Sequence, residues 1–263
     1  MHVQKQLSEL NLQVWQGWQH FWGSPLGQEV LSTEQRLLQP LLEEQRGYHL
    51  LCLGSCPLQP LLKNSSIRHH LEWRPVAELA EHPSCLIADP AALPLPDDSM
   101  DLVILHHSLE LYSRPHALLK EAARVTLPKG ELVVLSFNPL SLWGLARLLP
   151  SFMQAEPIRS LIDARFLSQS KMHDWLEFLD LQLEQQQQVF HRPPCNRVKF
   201  QQRLRSLDHR LDQKCWPFAG IYMLRIKKRI GSPMRPVSKL KNTGWLPVQP
   251  VSSPTRNSLK IEK

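Results

Sequence analysis

The chain has 263 residues, of which 42% are hydrophobic and 21% charged, and this composition is typical of a globular protein with a full core. No apolar run reaches the roughly 20 residues needed to cross a bilayer, and the N-terminus lacks the layout of a secretory signal. We therefore expect a cytoplasmic protein without a membrane span. The five cysteines form no CxxC pair, and neither histidine doublet lies in a metal-ligand motif, so we expect no metal site.

The net charge of +7 is concentrated at the C-terminus. Residues 227–263 hold nine Lys or Arg and one Glu, so they carry +8 and the remaining residues carry −1. We expect residues 229–263 to form a basic, disordered tail. Such a tail attracts nucleic acid through phosphate contacts, but its single aromatic residue, Trp245, offers almost no stacking surface. A solubilising tail is the preferred interpretation.

Two amphipathic helices are predicted at the N-terminus, within a segment assigned to residues 1–46. Apolar residues recur at helical spacing over residues 5–22, with a stripe of aromatic side chains. Residues 24–27 (SPLG) are expected to break this helix. A second helix is predicted over about residues 28–44 and is stopped by Gly47.

Short apolar runs then alternate with helical segments. The predicted strands are residues 49–54, 67–73, 84–88, 101–107, 131–137, 182–190 and 220–228. A short helix is predicted directly after the first strand. Further helices are predicted over residues 76–81, 115–125, 172–181 and 198–214. Nearly continuous apolar strands separated by helices are typical of a mostly parallel sheet with both faces covered. The predicted fold class is therefore α/β, a Rossmann-like doubly wound sheet over residues 47–228, with an inserted helix before the last strand.

Residues that could bind a ligand or take part in catalysis lie at or just after the ends of the first five strands. They are Gly54, Glu72, Asp89, the doublet His106–His107, and Asn138. In a doubly wound sheet, ligands bind outside the carboxyl ends of the strands, where the strand order reverses. The clustering predicts a ligand site at this edge, although loops after strands are polar in many proteins without one.

Three stretches within residues 88–137 carry a family resemblance: ADPAALPL (88–95), MDLV (100–103) and KEAARV (120–125). They resemble the central motifs of class I S-adenosylmethionine-dependent methyltransferases of the type 11 kind, the group that includes the ubiquinone/menaquinone methyltransferases. The order of elements extends the resemblance over residues 47–228. The resemblance implies S-adenosylmethionine as the cofactor and a methyl acceptor as the substrate.

The resemblance also implies roles for individual residues. Asp89 would accept a hydrogen bond from the adenine amino group, and Glu72 would hold the ribose hydroxyls, because a carboxylate offers only acceptors. Gly54 would let the backbone approach the methionine part of the cofactor, beside His106. The remaining cofactor contacts would come from the loop residues Pro90, Ala91, Leu93 and Leu95.

The implied reaction is displacement of the sulfonium methyl group by an acceptor nucleophile, which needs mainly alignment. Where the acceptor must lose a proton, His106 or His107 is the candidate base, and Asn138 lies where the acceptor would approach. Alternatively, one histidine faces the core and Asn138 bonds its own turn. Segments 139–170 and 195–216 are expected to cover the acceptor side. Their aromatic residues favour a small apolar or aromatic acceptor: Trp143, Phe152 and Trp216. Ordinary core packing explains each of these three residues equally well.

The sequence departs from the family pattern in two places. The first motif, CLGSCPL (52–58), has one glycine and no acid, and its other residues carry side chains that would crowd the cofactor. Pro90 lacks the N–H that members of the family offer to the adenine ring. A catalytically silent binding or scaffold protein is therefore the alternative. A dinucleotide-dependent oxidoreductase is disfavoured, because no GxGxxG follows the first strand.

Overall fold

A computed structural model describes residues 12–56, 59–62, 65–74, 85–148, 159, 161, 164–195, 197, 199–204 and 218–229. Several predicted features lie outside the described residues. They are the helix at 76–81, the tail beyond Arg229, the end of the helix predicted at 198–214, and the side chains of Phe152 and Trp216.

The elements follow the predicted order. The helices are α1 (Leu12–Gly23), α2 (Pro25–Glu44), α3 (Gln59–Leu62), α4 (Ser108–Leu111), α5 (Pro115–Val125), α6 (Leu142–Arg147) and α7 (Gln169–Phe178). The strands are β1 (His49–Gly54), β2 (His69–Arg74), β3 (Cys85–Ile87), β4 (Met100–His106), β5 (Thr126–Phe137), β6 (Leu181–Val189) and β7 (Ile221–Lys228). Residues 199–204 are also helical.

The strands form one seven-stranded sheet in the order β3-β2-β1-β4-β5-β7-β6. The pairs among β1 to β5 are parallel, and β7 is antiparallel to both β5 and β6. The predicted α/β class and mostly parallel sheet are confirmed. The order reverses between β1 and β4, where Gly54 pairs with His106 at the carboxyl edge. This edge is therefore the topological switch point of the sheet.

The core consists of the central strands and the side chains that helices pack on them. Every residue of β1 after His49 is buried, and so is the apolar run Leu102–Leu105 in β4. Continuous burial requires cover on both faces, which explains why these strands show no alternation of polar and apolar residues. Among the described residues, no helix combines the length and apolarity needed to cross a membrane.

Two of the differences between predicted and observed element boundaries have a clear physical reason. Helix α2 begins at Pro25, because the Ser24 hydroxyl accepts the Gly27 N–H at 3.1 Å and proline is favourable in a first helical turn. The residues expected to break the chain therefore start the helix. Strand β5 begins at Thr126, since the turn around Lys129, with φ of 68°, is incorporated into the strand rather than preceding it.

Loops at the carboxyl edge meet at Trp143, whose side chain is fully buried. The indole N–H donates to the Arg192 carbonyl at 3.0 Å. Gly220 lies against the indole ring, so that a Cβ there would come within 2.7 Å of Cδ1. Only a residue without a side chain fits at this position.

We expect Gly220→Ala to lower the free energy of unfolding by about 1–3 kcal/mol, because the added methyl overpacks the contact with Trp143. Gly23→Ala is the matched control, since a Cβ there meets no atom within 4 Å. Urea unfolding of both variants measures the effect. Equal stabilities would contradict the packing described at Trp143.

Candidate functional site

The carboxyl edge of the sheet holds a buried network of charged side chains. Both oxygens of Glu34, on α2, accept hydrogen bonds from histidine rings: from His106 Nε2 at 2.9 Å and from His107 Nε2 at 2.7 Å. The second ring nitrogen of His107 donates to Glu110 at 2.7 Å. The side chains of Glu34, His106 and His107 are fully buried. The network therefore attaches the N-terminal helices directly to the end of β4.

The network extends to β5 through Glu110. Its other oxygen accepts the Ser136 hydroxyl at 2.9 Å and the Phe137 N–H at 2.5 Å. His107 holds its position with φ of 52°, in the left-handed region, between the end of β4 and the start of α4. This turn directs the ring between the two carboxylates.

The hydrogen bonds define where the protons lie. Burial disfavours a charged His107, but the carboxylates of Glu110 and Glu34 outweigh it and raise the pKa of His107 to about 10. Burial likewise opposes ionisation of Glu34, but the charge of His107 and the hydrogen bonds from both rings lower the pKa of Glu34 to about 2. His107 is thus an imidazolium at neutral pH. With both nitrogens donating, it has no lone pair with which to act as a base in this arrangement.

His106 differs from its neighbour in charge. Burial lowers the pKa of His106, so the ring is neutral, and its Nε2–H donates to Glu34. Nδ1 is then an acceptor and lies 3.3 Å from the sulfur of Cys56. Burial raises the pKa of the Cys56 thiol, so the thiol stays protonated and donates a hydrogen bond to the ring. His106 has a basic nitrogen, but the fully buried ring exposes none of it.

Helix α1 covers the loop after β1, where the first motif was predicted. Trp22 Nε1 donates to the Ser55 hydroxyl at 3.0 Å, and the Gln19 amide donates to the Ser55 carbonyl at 2.7 Å. The Trp22 ring lies 5.2 Å from that of His106, centroid to centroid. Gly54, Ser55 and Cys56 are all buried. In this conformation residues 54–56 offer no exposed surface to the methionine part of a cofactor.

Three buried polar atoms beside this cover have no hydrogen-bond partner: Trp15 Nε1, Trp18 Nε1 and Ser108 Oγ. Trp15 packs edge-on against Trp73 of β2, and Trp18 packs on the ring of His107. Unpaired buried donors are uncommon in folded proteins. They are groups with which a polar ligand at this edge would bond.

Asp89 follows β3 and is about one-quarter exposed. One carboxylate oxygen accepts the Ala91 N–H at 2.9 Å and the Tyr112 hydroxyl at 2.7 Å. The other oxygen lies 4.0 Å from Arg114. In contrast to Gly54 and His106, Asp89 is therefore accessible, with one oxygen oriented by its own loop and the other available to a ligand.

Helix α5 holds the loop that follows Asp89. The Leu93 N–H donates to Glu121 at 2.7 Å, and Arg124 donates to the carbonyls of Leu93 at 3.1 Å and Leu95 at 3.0 Å. Glu121 and Arg124 also pair with each other at 2.6 Å. This clamp explains the role of the KEAARV motif. It fixes Leu93, which is buried, and Leu95, which is partly buried, next to the acid.

The remaining predicted site residues lie at the same edge but are engaged by the protein. Glu72 is buried and pairs with Arg74 at 3.3 Å. Asn138 is buried, with its amide donating to the Ala219 carbonyl at 3.0 Å and its oxygen accepting the Leu140 N–H at 3.0 Å. Pro90 is buried, and Ala91 is partly buried. The structure therefore brings the acids and histidines to one edge. Of the predicted site residues, only Asp89, Ala91 and Leu95, in the loop after β3, are partly exposed.

Three residues of the network are of types that bind metal ions. Glu34, His106 and His107 each offer a ligand atom within 4.8 Å of the others. Their hydrogen bonds occupy those atoms, so a cation would have to displace the two Nε2 protons. The motif search missed this group because its members come from α2 and from the end of β4, 72 residues apart.

Comparisons with known proteins agree with this architecture. Residues 62–134 match a family described as methyltransferase domain. A solved S-adenosylmethionine-dependent methyltransferase from Thermotoga maritima, described as a possible histamine N-methyltransferase, superimposes with a TM-score of 0.56 and 18% identity. The match covers 78% of this chain and 91% of that protein, and it supports the fold.

Two curated proteins are similar to this chain in sequence. The uncharacterized protein YafS from Escherichia coli (strain K12) is 31% identical over 163 residues, which are 62% of this chain and 65% of YafS. The ubiquinone/menaquinone biosynthesis C-methyltransferase UbiE from Ruegeria sp. (strain TM1040) is 36% identical over 80 residues, 29% of this chain and 32% of UbiE. The chain thus spans less than two-thirds of either relative.

The buried network predicts how the stability of the protein depends on pH. The raised pKa of His107 means that its contribution is complete below about pH 6.5, the unfolded value, and is lost as pH rises towards about 10. The stability advantage of the wild type over His107→Asn should therefore shrink by a few kcal/mol between pH 7 and pH 10, because one pKa unit corresponds to about 1.4 kcal/mol. Asparagine is chosen because it tolerates a left-handed backbone.

Urea unfolding at several pH values between 7 and 10 measures this difference. His116→Asn is the control, because His116 lies on α5, outside the network. A constant difference between the wild type and His107→Asn over this range would contradict an imidazolium at position 107.

Proposed function

We propose that this protein is an S-adenosylmethionine-dependent methyltransferase that acts on a small apolar or aromatic organic acceptor. The observation that supports it is the accessible carboxylate of Asp89, held in a clamped Leu-Pro-Leu loop beside the switch point of a methyltransferase-type sheet. The nature of the acceptor comes from the aromatic residues of the predicted cover segments. It remains a prediction.

The residues of the β3 loop fit the adenosine end of the cofactor. The available Asp89 oxygen would accept the adenine amino group, while Leu93 and Leu95 would pack on the ring. Pro90 offers no N–H, and the Ala91 N–H is already donated to Asp89. Recognition of adenine would therefore depend on the carboxylate more than on the backbone.

The methionine end of the cofactor would fit only after helix α1 moves. Helix α1 occupies the surface above Gly54, and its contacts with Ser55 would have to separate before the cofactor could lie there. The unpaired N–H groups of Trp15 and Trp18 would then become partners for polar atoms of the ligand. We therefore propose that cofactor binding is coupled to displacement of α1 from the sheet edge.

When bound, the cofactor would supply an activated methyl group on a sulfonium. The protein would contribute alignment and exclusion of water, for which the aromatic side chains of α1 are suited. His106 is the neutral imidazole at this edge and would serve as the base for an acceptor that loses a proton. Asn138, at the end of β5, would border the acceptor. Glu72 would reach the ribose only by leaving Arg74.

Asp89→Ala tests the adenosine site. We expect it to weaken binding of S-adenosylhomocysteine by about 1–3 kcal/mol, the value of a hydrogen bond to a charged group. Isothermal titration calorimetry measures the affinity. Tyr112→Phe is the matched control, because it removes the 2.7 Å hydrogen bond to Asp89 and leaves the carboxylate in place. If both variants weakened binding equally, Asp89 would be a loop-stabilising residue and not an adenine ligand.

The second candidate function is a binding or scaffold protein that has the methyltransferase architecture without catalysis. The burial of Ser55 and Cys56 under α1 favours it. Trp22→Phe separates the candidates, because it removes the hydrogen bond to Ser55 and keeps an aromatic ring. Under the first proposal the variant should bind S-adenosylhomocysteine at least as tightly as the wild type. Absence of binding by both proteins at millimolar ligand would favour the scaffold.

A further inference from the structure

Exposed apolar side chains are concentrated beside the carboxyl edge of the sheet. Six of the nine large exposed hydrophobic residues in the described part of the chain lie there. We call them the leucine face: Leu140, Leu142, Leu145, Leu148, Phe200 and Phe218. Clustered exposure of this kind marks an interaction surface, whereas single exposed residues are ordinary.

Helix α6 supplies the centre of this face. Leu142, Leu145 and Leu148 recur every third residue, and therefore lie on one side of the helix. They are 46%, 59% and 82% exposed. Trp143, on the other side, is fully buried, so the helix is anchored by one side and presents the other outwards.

The two phenylalanines are brought to α6 by backbone contacts. Asn138, just before α6, donates to the carbonyl of Ala219, next to Phe218. Trp143 donates to the Arg192 carbonyl, and Arg192 in turn donates to the carbonyl of Gln201, next to Phe200. Three separate segments thus meet around one buried indole and contribute their exposed apolar residues to one region.

The described charged residues beside Phe200 in the sequence are of one sign. Arg197, Lys199 and Arg203 are exposed on the segment that carries Phe200. No acidic residue occurs in residues 132–155 or 185–207, which contain all of the face except Phe218. Apolar side chains flanked by cations are the pattern of surfaces that lie in the interface of a bilayer with anionic headgroups.

We propose that the leucine face docks this protein on the surface of an anionic lipid bilayer. The leucines and phenylalanines enter the headgroup region, and Arg197, Lys199 and Arg203 contact the lipid phosphates. The basic tail, residues 229–263, adds long-range attraction, because it carries +6. This inference uses none of the residues assigned to the cofactor, and all of the face except Phe218 belongs to the segments predicted to cover the acceptor side.

A bilayer fits the observations better than the other occupants of such a surface. Nucleic acid would be held by the cations, but it would leave the aliphatic side chains without a partner, since stacking needs aromatic rings. A second copy of the chain would place the like-charged segments of both subunits together, since the contact would be isologous. Lipid accommodates both the apolar and the cationic parts.

The test is co-sedimentation of the full chain with vesicles at moderate salt. One set is pure phosphatidylcholine, and the other contains about one-quarter phosphatidylglycerol. The test variant combines Leu145→Gln and Leu148→Gln, which removes apolar surface without changing charge. The control combines Tyr48→Gln and Phe178→Gln, which are 80% and 77% exposed and lie elsewhere. Thermal unfolding verifies that both variants fold as the wild type does.

We expect binding to the phosphatidylglycerol vesicles, a loss of about tenfold or more in the leucine variant, and no loss in the control. Equal binding of all three proteins would overturn the proposal and assign the attraction to the tail. Absence of vesicle binding would also overturn it. So would a dimer of the wild type that the leucine variant converts to a monomer in light scattering, because the face would then be a self-interface.

Discussion

The structure depends on one buried chain of charges, in which the imidazolium of His107 lies between the carboxylates of Glu34 and Glu110. Two carboxylates cannot be buried this deeply without a compensating cation, and removing one partner would leave an unpaired charge. This network of charged side chains joins α2, the end of β4 and the start of α4, and through Ser136 it reaches β5. It therefore determines where the N-terminal helices lie. Because α1 continues into α2 through the cap at Ser24, the position of α1 over the first-motif loop follows from it.

The two halves of the cofactor edge are built on different supports. The loop after β3 is held by Glu121 and Arg124 of α5, and none of those contacts involves the N-terminal helices. The loop after β1, in contrast, is hydrogen-bonded to α1 through Ser55. Movement of α1 would leave the loop after β3 intact and uncover the loop after β1. Because the two loops have different supports, the loop after β3 can be well formed although the glycine motif after β1 departs from the family pattern.

The sequence allowed prediction of the sheet, because buried parallel strands appear as continuous apolar runs that helices interrupt. It also located the edge at which Asp89, His106 and Asn138 meet. It did not indicate that α1 covers that edge, because an aromatic stripe specifies burial but not the surface against which it is buried. Glu34 was overlooked, although a signal exists: it lies at i+4 from Val30 and i−4 from Leu38, on the apolar side of its helix. An acid in that position requires a buried partner. The start of α2 was misplaced because Ser24-Pro25 was interpreted as a break, when serine caps and proline begins helices.

The tryptophans of α1 have a further consequence. Trp15, Trp18 and Trp22 are all buried at one edge of the sheet, and Trp18 and Trp22 contact imidazole rings. An indole in an apolar environment emits at shorter wavelength than one in water, and a neighbouring imidazolium quenches it. Separation of this helix from the sheet would change both properties together. Intrinsic tryptophan fluorescence of the unlabelled protein therefore reports whether α1 covers the sheet edge.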